Sequence, residues 1–247
     1  MQPRLPIVVL SINNTLTMKH IITCALLLSS LVLTAQSSGE KDLENFRGVA
    51  VSSSVEATLV KGDKNHIYVE VKNVNLDDVK VEIEKGILYV GKKNKGWNIN
   101  WGSGKRIKAI ITYADELSYL SASSSADLVA DDVVYSDQLK INVSSSGDMN
   151  VEVEAQELDI DVSSSADLNI KGSAYKAQID ASSSADLNGK KLVVDEVKVS
   201  ASSSADVYIH VKNKLKAKAS SSADIVYYGN PTNVDRSSSS GADIENH

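Results

Sequence analysis

The pentapeptide Ser-Ser-Ser-Ala-Asp returns along this chain at Ser123–Asp127, Ser163–Asp167, Ser182–Asp186, Ser202–Asp206 and Ser220–Asp224. Ser144-Ser145-Ser146-Gly147-Asp148 is a close variant and Ser239-Ser240-Gly241-Ala242-Asp243 a looser one. Successive Asp residues stand 21, 19, 19, 20, 18 and 19 positions apart. A period this regular points to one supersecondary unit laid down repeatedly, each copy burying its apolar face against the next.

The residues flanking each motif identify that unit. Leu158, Ile160, Val162, Ala166, Leu168 and Ile170 hold one parity, while Asp159, Asp161, Ser163, Ser165, Asp167 and Asn169 hold the other. Two-residue alternation is the signature of a strand with one face in the core and one in water. The same phase runs through Leu139, Ile141, Val143, Met149 and Val151, and through Val197, Val199, Ala201, Val207 and Ile209. These observations predict an all-β parallel β-helix, a solenoid with coils of about 19 residues stacked about 4.8 Å apart with like residues in columns. An antiparallel sandwich of hairpins, suggested by Lys171-Gly172-Ser173 and Gly229-Asn230-Pro231, leaves the fixed period unexplained. A disordered serine linker would lack flanking Val, Ile and Leu in register.

Upstream, Val49, Val51, Val55, Ala57 and Leu59 keep the core phase, with Glu56 where the Asp would fall, so an eighth, degenerate copy is expected there as the start of the solenoid. Between Val60 and Leu120 the pattern changes. Strands are expected at His66–Lys72, Val79–Glu84, Ile87–Val90 and Arg106–Tyr113, with turns at Lys61-Gly62-Asp63 and Glu84-Lys85-Gly86. This N-terminal β segment either caps the solenoid, whose end would otherwise expose unpaired backbone, or forms a second sheet.

At the N-terminus, Met18-Lys19-His20 precedes the apolar run Ile21 to Leu33 and then Thr34-Ala35-Gln36, the layout of a secretory signal cleaved near Ala35. Cys24 lies too early in the run for a lipoprotein cysteine. The expected organisation is residues 1–36 as N-terminal extension and cleaved signal, 37–45 as a linker, and 46–247 as a single solenoid domain with no transmembrane span, exported to the periplasm or cell surface.

Composition narrows the chemistry. With one Cys and four dispersed His (His20, His66, His210, His247), neither a Cys/His metal site nor a serine triad is supported. A net charge of −6 disfavours nucleic acid as a partner. Aromatics are only 5% of residues, so the core must be narrow and built from small and β-branched side chains.

If the coils stack in register, the middle serines, Ser124, Ser145, Ser164, Ser183, Ser203, Ser221 and Ser240, share the core parity and are expected to serve structure by turning a corner and bonding to backbone. The outward column Asp127, Asp148, Asp167, Asp186, Asp206, Asp224 and Asp243 carries a single sign, whereas the column eight positions earlier (Tyr119, Lys140, Asp159, Gln178, Lys198, Lys216, Asp235) is mixed. Two readings of the acidic column stay open. In one, each Asp caps corner amides in an Asx-type turn; in the other, the ladder holds Ca²⁺ or another hard cation between coils. Trp97 and Trp101, in the Lys/Gly/Asn-rich loop Lys92 to Lys105, are candidate ligand-stacking residues or a hydrophobic cap.

Several of these features together resemble the family of exported proteins known as putative auto-transporter adhesin, head GIN domain. They are Phe46-Arg47-Gly48-Val49, the Ile107 to Tyr113 strand followed by Asp115-Glu116-Leu117, the Ser-Ser-Ser-Ala-Asp repeats, and Tyr228-Gly229-Asn230-Pro231. The resemblance covers Phe46 to Asn246 and implies a right-handed parallel β-helix, export, and adhesion without catalytic residues to carry over. Auto-transport requires a C-terminal membrane barrel that is not seen after the last repeat, so a different export route is expected. The functional expectation is a non-enzymatic binding module of the cell envelope that presents a repetitive Ser/Asp face to a glycan or an envelope protein. The competing expectation is a polysaccharide-active enzyme on the same fold, for which fold alone is weak warrant.

Overall fold

A computed structural model of the chain describes residues 36–93 and 104–247. The signal segment therefore lies outside the described residues, as do Trp97 and Trp101. Residues 36–247 form one compact unit, and the described residues in it are almost wholly strands, with one 3₁₀ turn among them at Leu76–Asp78.

The described chain opens with β1 (Gln36–Asp42), β2 (Gly48–Ser52), β3 (Val55–Lys61), β4 (His66–Lys72), the turn and β5 (Val79–Glu84). They are followed by β6 (Ile87–Lys92), β7 (Arg106–Tyr113), β8 (Tyr119–Ser123) and β9 (Asp127–Ala130). The regular coils are β10 (Val134–Ser144), β11 (Asp148–Ser163), β12 (Asp167–Ser182), β13 (Asp186–Ser202) and β14 (Asp206–Ser220). The last are β15 (Asp224–Tyr228), β16 (Asn233–Ser238) and β17 (Asp243–Asn246).

Successive repeats pair in parallel, so the expected β-solenoid is the observed fold. Leu158 of β11 stands between Leu139 of β10 and Ala177 of β12, and Ile160 between Ile141 and Ile179. Every coil has two sides. One follows the Ser corner, as at 148–155, and the other precedes the next corner, as at 157–163. Gln156 and Glu157, two exposed residues in a row, mark the break between them. The inward residues form one continuous core in which Ile160, Leu187, Val194, Ile209 and Leu215 are fully buried. Burying a Val, Leu or Ile contributes about 1.5–3 kcal/mol, and the columns repeat that gain at every coil.

The N-terminal segment caps the solenoid by extending both sides. β2 and β3 stack on β8 and β9, confirming the degenerate copy, with Glu56 in line with Asp127. The solenoid does not start there, however. β6 and β7 lie one coil further out, pairing in parallel with β2 and β3. Antiparallel strands then close the sheets, β5 on β6 and β4 on β7. The expected linker at 37–45 is a correction. Its first part is strand β1, antiparallel to β4 from Gln36 opposite Lys72 to Asp42 opposite His66. Its residues Gln-Ser-Ser-Gly-Glu-Lys-Asp lack apolar alternation because a single edge strand is held by backbone pairing.

Candidate functional site

The corner shared by the coils is unusual in its backbone. In every motif but the last the second and third serines have positive φ, as in Ser164 at 59° and Ser165 at 55°; the pair is Ser240 and Gly241 in the last motif, and Ser53 and Ser54 in the degenerate copy. The left-handed region costs a non-glycine residue about 1 kcal/mol or more. Compensation comes from the neighbouring coil. The amide of Ser146 donates to the carbonyl of Ser164, that of Ser165 to Ser183 and that of Ser184 to Ser203, at 2.9–3.0 Å. The Asp amides are tied in the opposite direction, Asp186 to Ala166 and Asp206 to Ala185. The small residue between them is enclosed, Ala166, Ala185, Ala205 and Ala223 being fully buried.

This geometry corrects the expectation for the middle serines. Ser145, Ser164, Ser183, Ser203 and Ser221 are exposed rather than inward, because two consecutive left-handed residues swing the chain round the corner while Val162 and Ala166 keep their places inside. The outcome is a serine ribbon along one edge of the solenoid.

Beside it runs the acidic column. Asp127, Asp148, Asp167, Asp186, Asp206, Asp224 and Asp243 stand in direct register from coil to coil. Among the described residues the corner amides go chiefly to carbonyls of the neighbouring coils; Asp224 Oδ1 also accepts from the Asp243 amide at 3.3 Å. Among the described residues no three His, Cys, Asp or Glu side chains converge to hold a metal ion. Partial burial, then the neighbouring acids, hold three of the carboxyls above their ordinary value: Asp148 beside Asp167 and Asp127, Asp186 beside Asp206 and Asp167, and Asp127 beside Glu56.

The second side carries a shallow channel of about 720 Å³ that crosses five coils. Its floor is the backbone at Leu139, Leu158, Ala177 and Val197, whose side chains point inward, and its walls are the outward rows on either side. One wall is the mixed column Lys140, Asp159, Gln178, Lys198 and Lys216; the other is Gln138, Glu157, Lys176, Glu196 and Lys214. Lys140 Nζ donates to Asp159 Oδ2 and Asp161 Oδ2, both at 2.8 Å, and these two bonds hold its ammonium above the ordinary lysine value. Lys216 lies 3.6 Å from Asp235. Charge is graded along the side, from Glu157, Asp159 and Asp161 on one coil to Lys214, Lys216 and Lys218 three coils on. The sequence showed the mixed signs of one wall, but the channel becomes visible only when the register of both walls is known.

Fold and surface together define a rigid β-solenoid that offers long, repetitive, solvent-facing columns. The chain belongs to the family described as putative auto-transporter adhesin, head GIN domain, whose pattern matches residues 45–231. Among solved structures, a putative adhesin from Bacteroides fragilis superposes with a TM-score of 0.78 at 16% identity, covering 86% of this chain and 97% of that one. A putative adhesin from Parabacteroides merdae gives 0.66 at 20% identity, over 86% and 96%. A protein from Parabacteroides distasonis described as a putative lipid binding protein gives 0.65 at 16%, again over 86% and 96%. At these identities the likeness is one of fold. No match was found among curated proteins. No helix among the described residues is long and apolar enough to cross a membrane.

Proposed function

We propose that this protein is an exported, non-enzymatic binding module of the cell envelope, holding an extended glycan or an envelope protein along its solenoid. The observation that carries this reading is the channel on the second side. Five coils in register present polar walls over an uninterrupted backbone floor, a site that is already formed and loses little freedom on binding. Membership of an adhesin family supports the class of function. The leader Met18 to Ala35 supports export.

The test is saturable binding of the purified protein to isolated envelope polysaccharide and to envelope protein, alongside a variant, Gln178→Trp, that fills the channel from an outward position. Binding that the variant loses, with no release of reducing sugar, is the expected result. Failure of the wild-type protein to bind either fraction, binding indifferent to Gln178→Trp, or release of reducing sugar would overturn it.

A further inference from the structure

Around the break between the two sides, a second hollow of about 440 Å³ opens on the first side, bordered by Tyr135, Asp137, Glu154, Gln156 and Ser173. Glu116 and Lys61 close one end of it. The two are fixed struts. Glu116 Oε1 accepts from the Asp137 amide at 2.7 Å and from Ser136 Oγ at 3.2 Å, and Lys61 Nζ donates to the carbonyls of Ala114 and Asp115. Tyr135, Glu154 and Ser173 are successive members of one column, so the floor is rigid sheet.

Two properties of this hollow are not explained by folding. Tyr135 is 63% exposed, more than any other large hydrophobic residue among those described. Asp137, Glu154, Gln156 and Ser173 are exposed and their side chains make no hydrogen bond or ion pair among the described residues, although Gln138 and Lys140 nearby are tied to Glu157 and Asp159 across the coils. An open phenol ring ringed by unengaged carboxylates and an amide is the chemistry that recognises a pyranose: the ring covers its apolar C–H face, and the planar polar groups bond its hydroxyls. The hollow's volume falls within the range of small-ligand sites.

The charge narrows the class. Three carboxylates, Glu116, Asp137 and Glu154, stand against the single ammonium of Lys61, so uronates, sialic acids and phosphate groups are disfavoured. Tyr175 is half-exposed one coil beyond Gln156, where the break row separates the hollow from the channel, and Lys176 Nζ lies over one face of its ring at 5.7 Å.

We infer that this hollow is a binding site for a neutral pyranose residue of a glycan, with Tyr135 stacking on the sugar and Asp137, Glu154 and Gln156 bonding its hydroxyls. The inference rests on the binding-module reading and adds the ligand class and the site.

Titration calorimetry of the purified protein tests it, with neutral oligosaccharides (cello-, manno- and N-acetylglucosamine oligomers), an oligogalacturonate and a lysine-rich peptide. A neutral oligosaccharide is expected to bind, with Tyr135→Ala and Gln156→Ala each weakening it at least tenfold, Tyr135→Phe retaining it, and the unfolding midpoint unmoved because these side chains are exposed. The inference is overturned if no neutral sugar binds, if the acidic sugar binds equally well, if Tyr135→Ala leaves affinity intact, or if only the peptide binds. Should Tyr135→Ala keep envelope binding that Gln178→Trp abolishes, the sugar site falls while the binding-module reading stands.

Discussion

The amide of Ser165 donates to the carbonyl of Ser183, one coil further along, at 3.0 Å. Both residues are exposed and both have positive φ, so this bond joins two strained backbones across the coil spacing. Its repetition from Ser54 to Ser240, seven bonds in all, turns eight separate corners into one hydrogen-bonded ladder. Each such bond contributes about 1 kcal/mol net, comparable to the cost of a left-handed serine.

A side chain branched at Cβ tolerates positive φ poorly. Ser164→Val is therefore expected to lower stability by about 2 kcal/mol despite the exposure of the site, whereas Ser164→Gly, which adopts that φ freely, is expected to change it by less than about 0.5 kcal/mol. Urea unfolding of the two variants checks this, and equal midpoints would remove the corner strain from the account.

The Asp column works against the fold. At a spacing of about 5 Å, two unit charges repel by about 0.8 kcal/mol in water. Asp148→Asn is accordingly expected to raise stability at pH 7 by at most about 1 kcal/mol, and by less in high salt. For Asp127, Asp148 and Asp186 the folded value lies above the ordinary 3.8. The cost of ionising them is present in full above that folded value and is relieved as pH falls through it, so mild acidification favours the fold at this column. Asp42 goes the other way. Its hydrogen bond to His66 at 2.8 Å, and then Lys64, hold it below 3.8, so its stabilising contribution is present above the ordinary value and lost as pH falls through the depressed one. Thermal midpoints of wild type and Asp148→Asn measured from neutral pH down to the carboxylate range should converge as the column protonates.

The repeats made the architecture legible because strand alternation and coil period are both written in side chains. Ile160, Val162, Ala166 and Leu168 are buried as their parity requires. Ser164 shares that parity and is exposed, because the corner is made by φ, which no spacing of apolar residues reports. β1 escaped for a related reason, its pairing to β4 being a matter of backbone alone. The chain order at the N-terminal end, where β6 and β7 lie outside β2 and β3, depends on long-range pairing that local pattern does not encode. Tyr135 and Gln156 belong to no motif; they meet because their coils are stacked.

Calcium offers a direct check on the acidic column. The carboxylates stand in a single file and no three converge among the described residues, so millimolar Ca²⁺ is expected to act only by screening. The unfolding midpoint in Ca²⁺ should then match that in Na⁺ at equal ionic strength, with EDTA having no effect. A calcium-specific rise would instead assign the column a cation-binding role.

Gly172 provides the strictest packing test. Its φ is +113°, and a Cβ there would come within 2.0 Å of the Val153 carbonyl oxygen on the adjoining coil, a backbone atom that has no rotamer to yield. It also sits just past the register shift between Asn169 and Lys171, where coils of unequal length are brought back into line. Gly172→Ala is therefore expected to cost about 2–3 kcal/mol, a fall of roughly 5–10 °C in Tm for a chain of this size. Gly86 separates strain from collision: its φ is +78°, but a Cβ there meets nothing within 4 Å. Gly86→Ala should cost only about 1 kcal/mol. Comparable losses for the two variants would mean that positive φ alone sets the requirement for glycine and that the close approach of the coils at Gly172 relaxes without penalty.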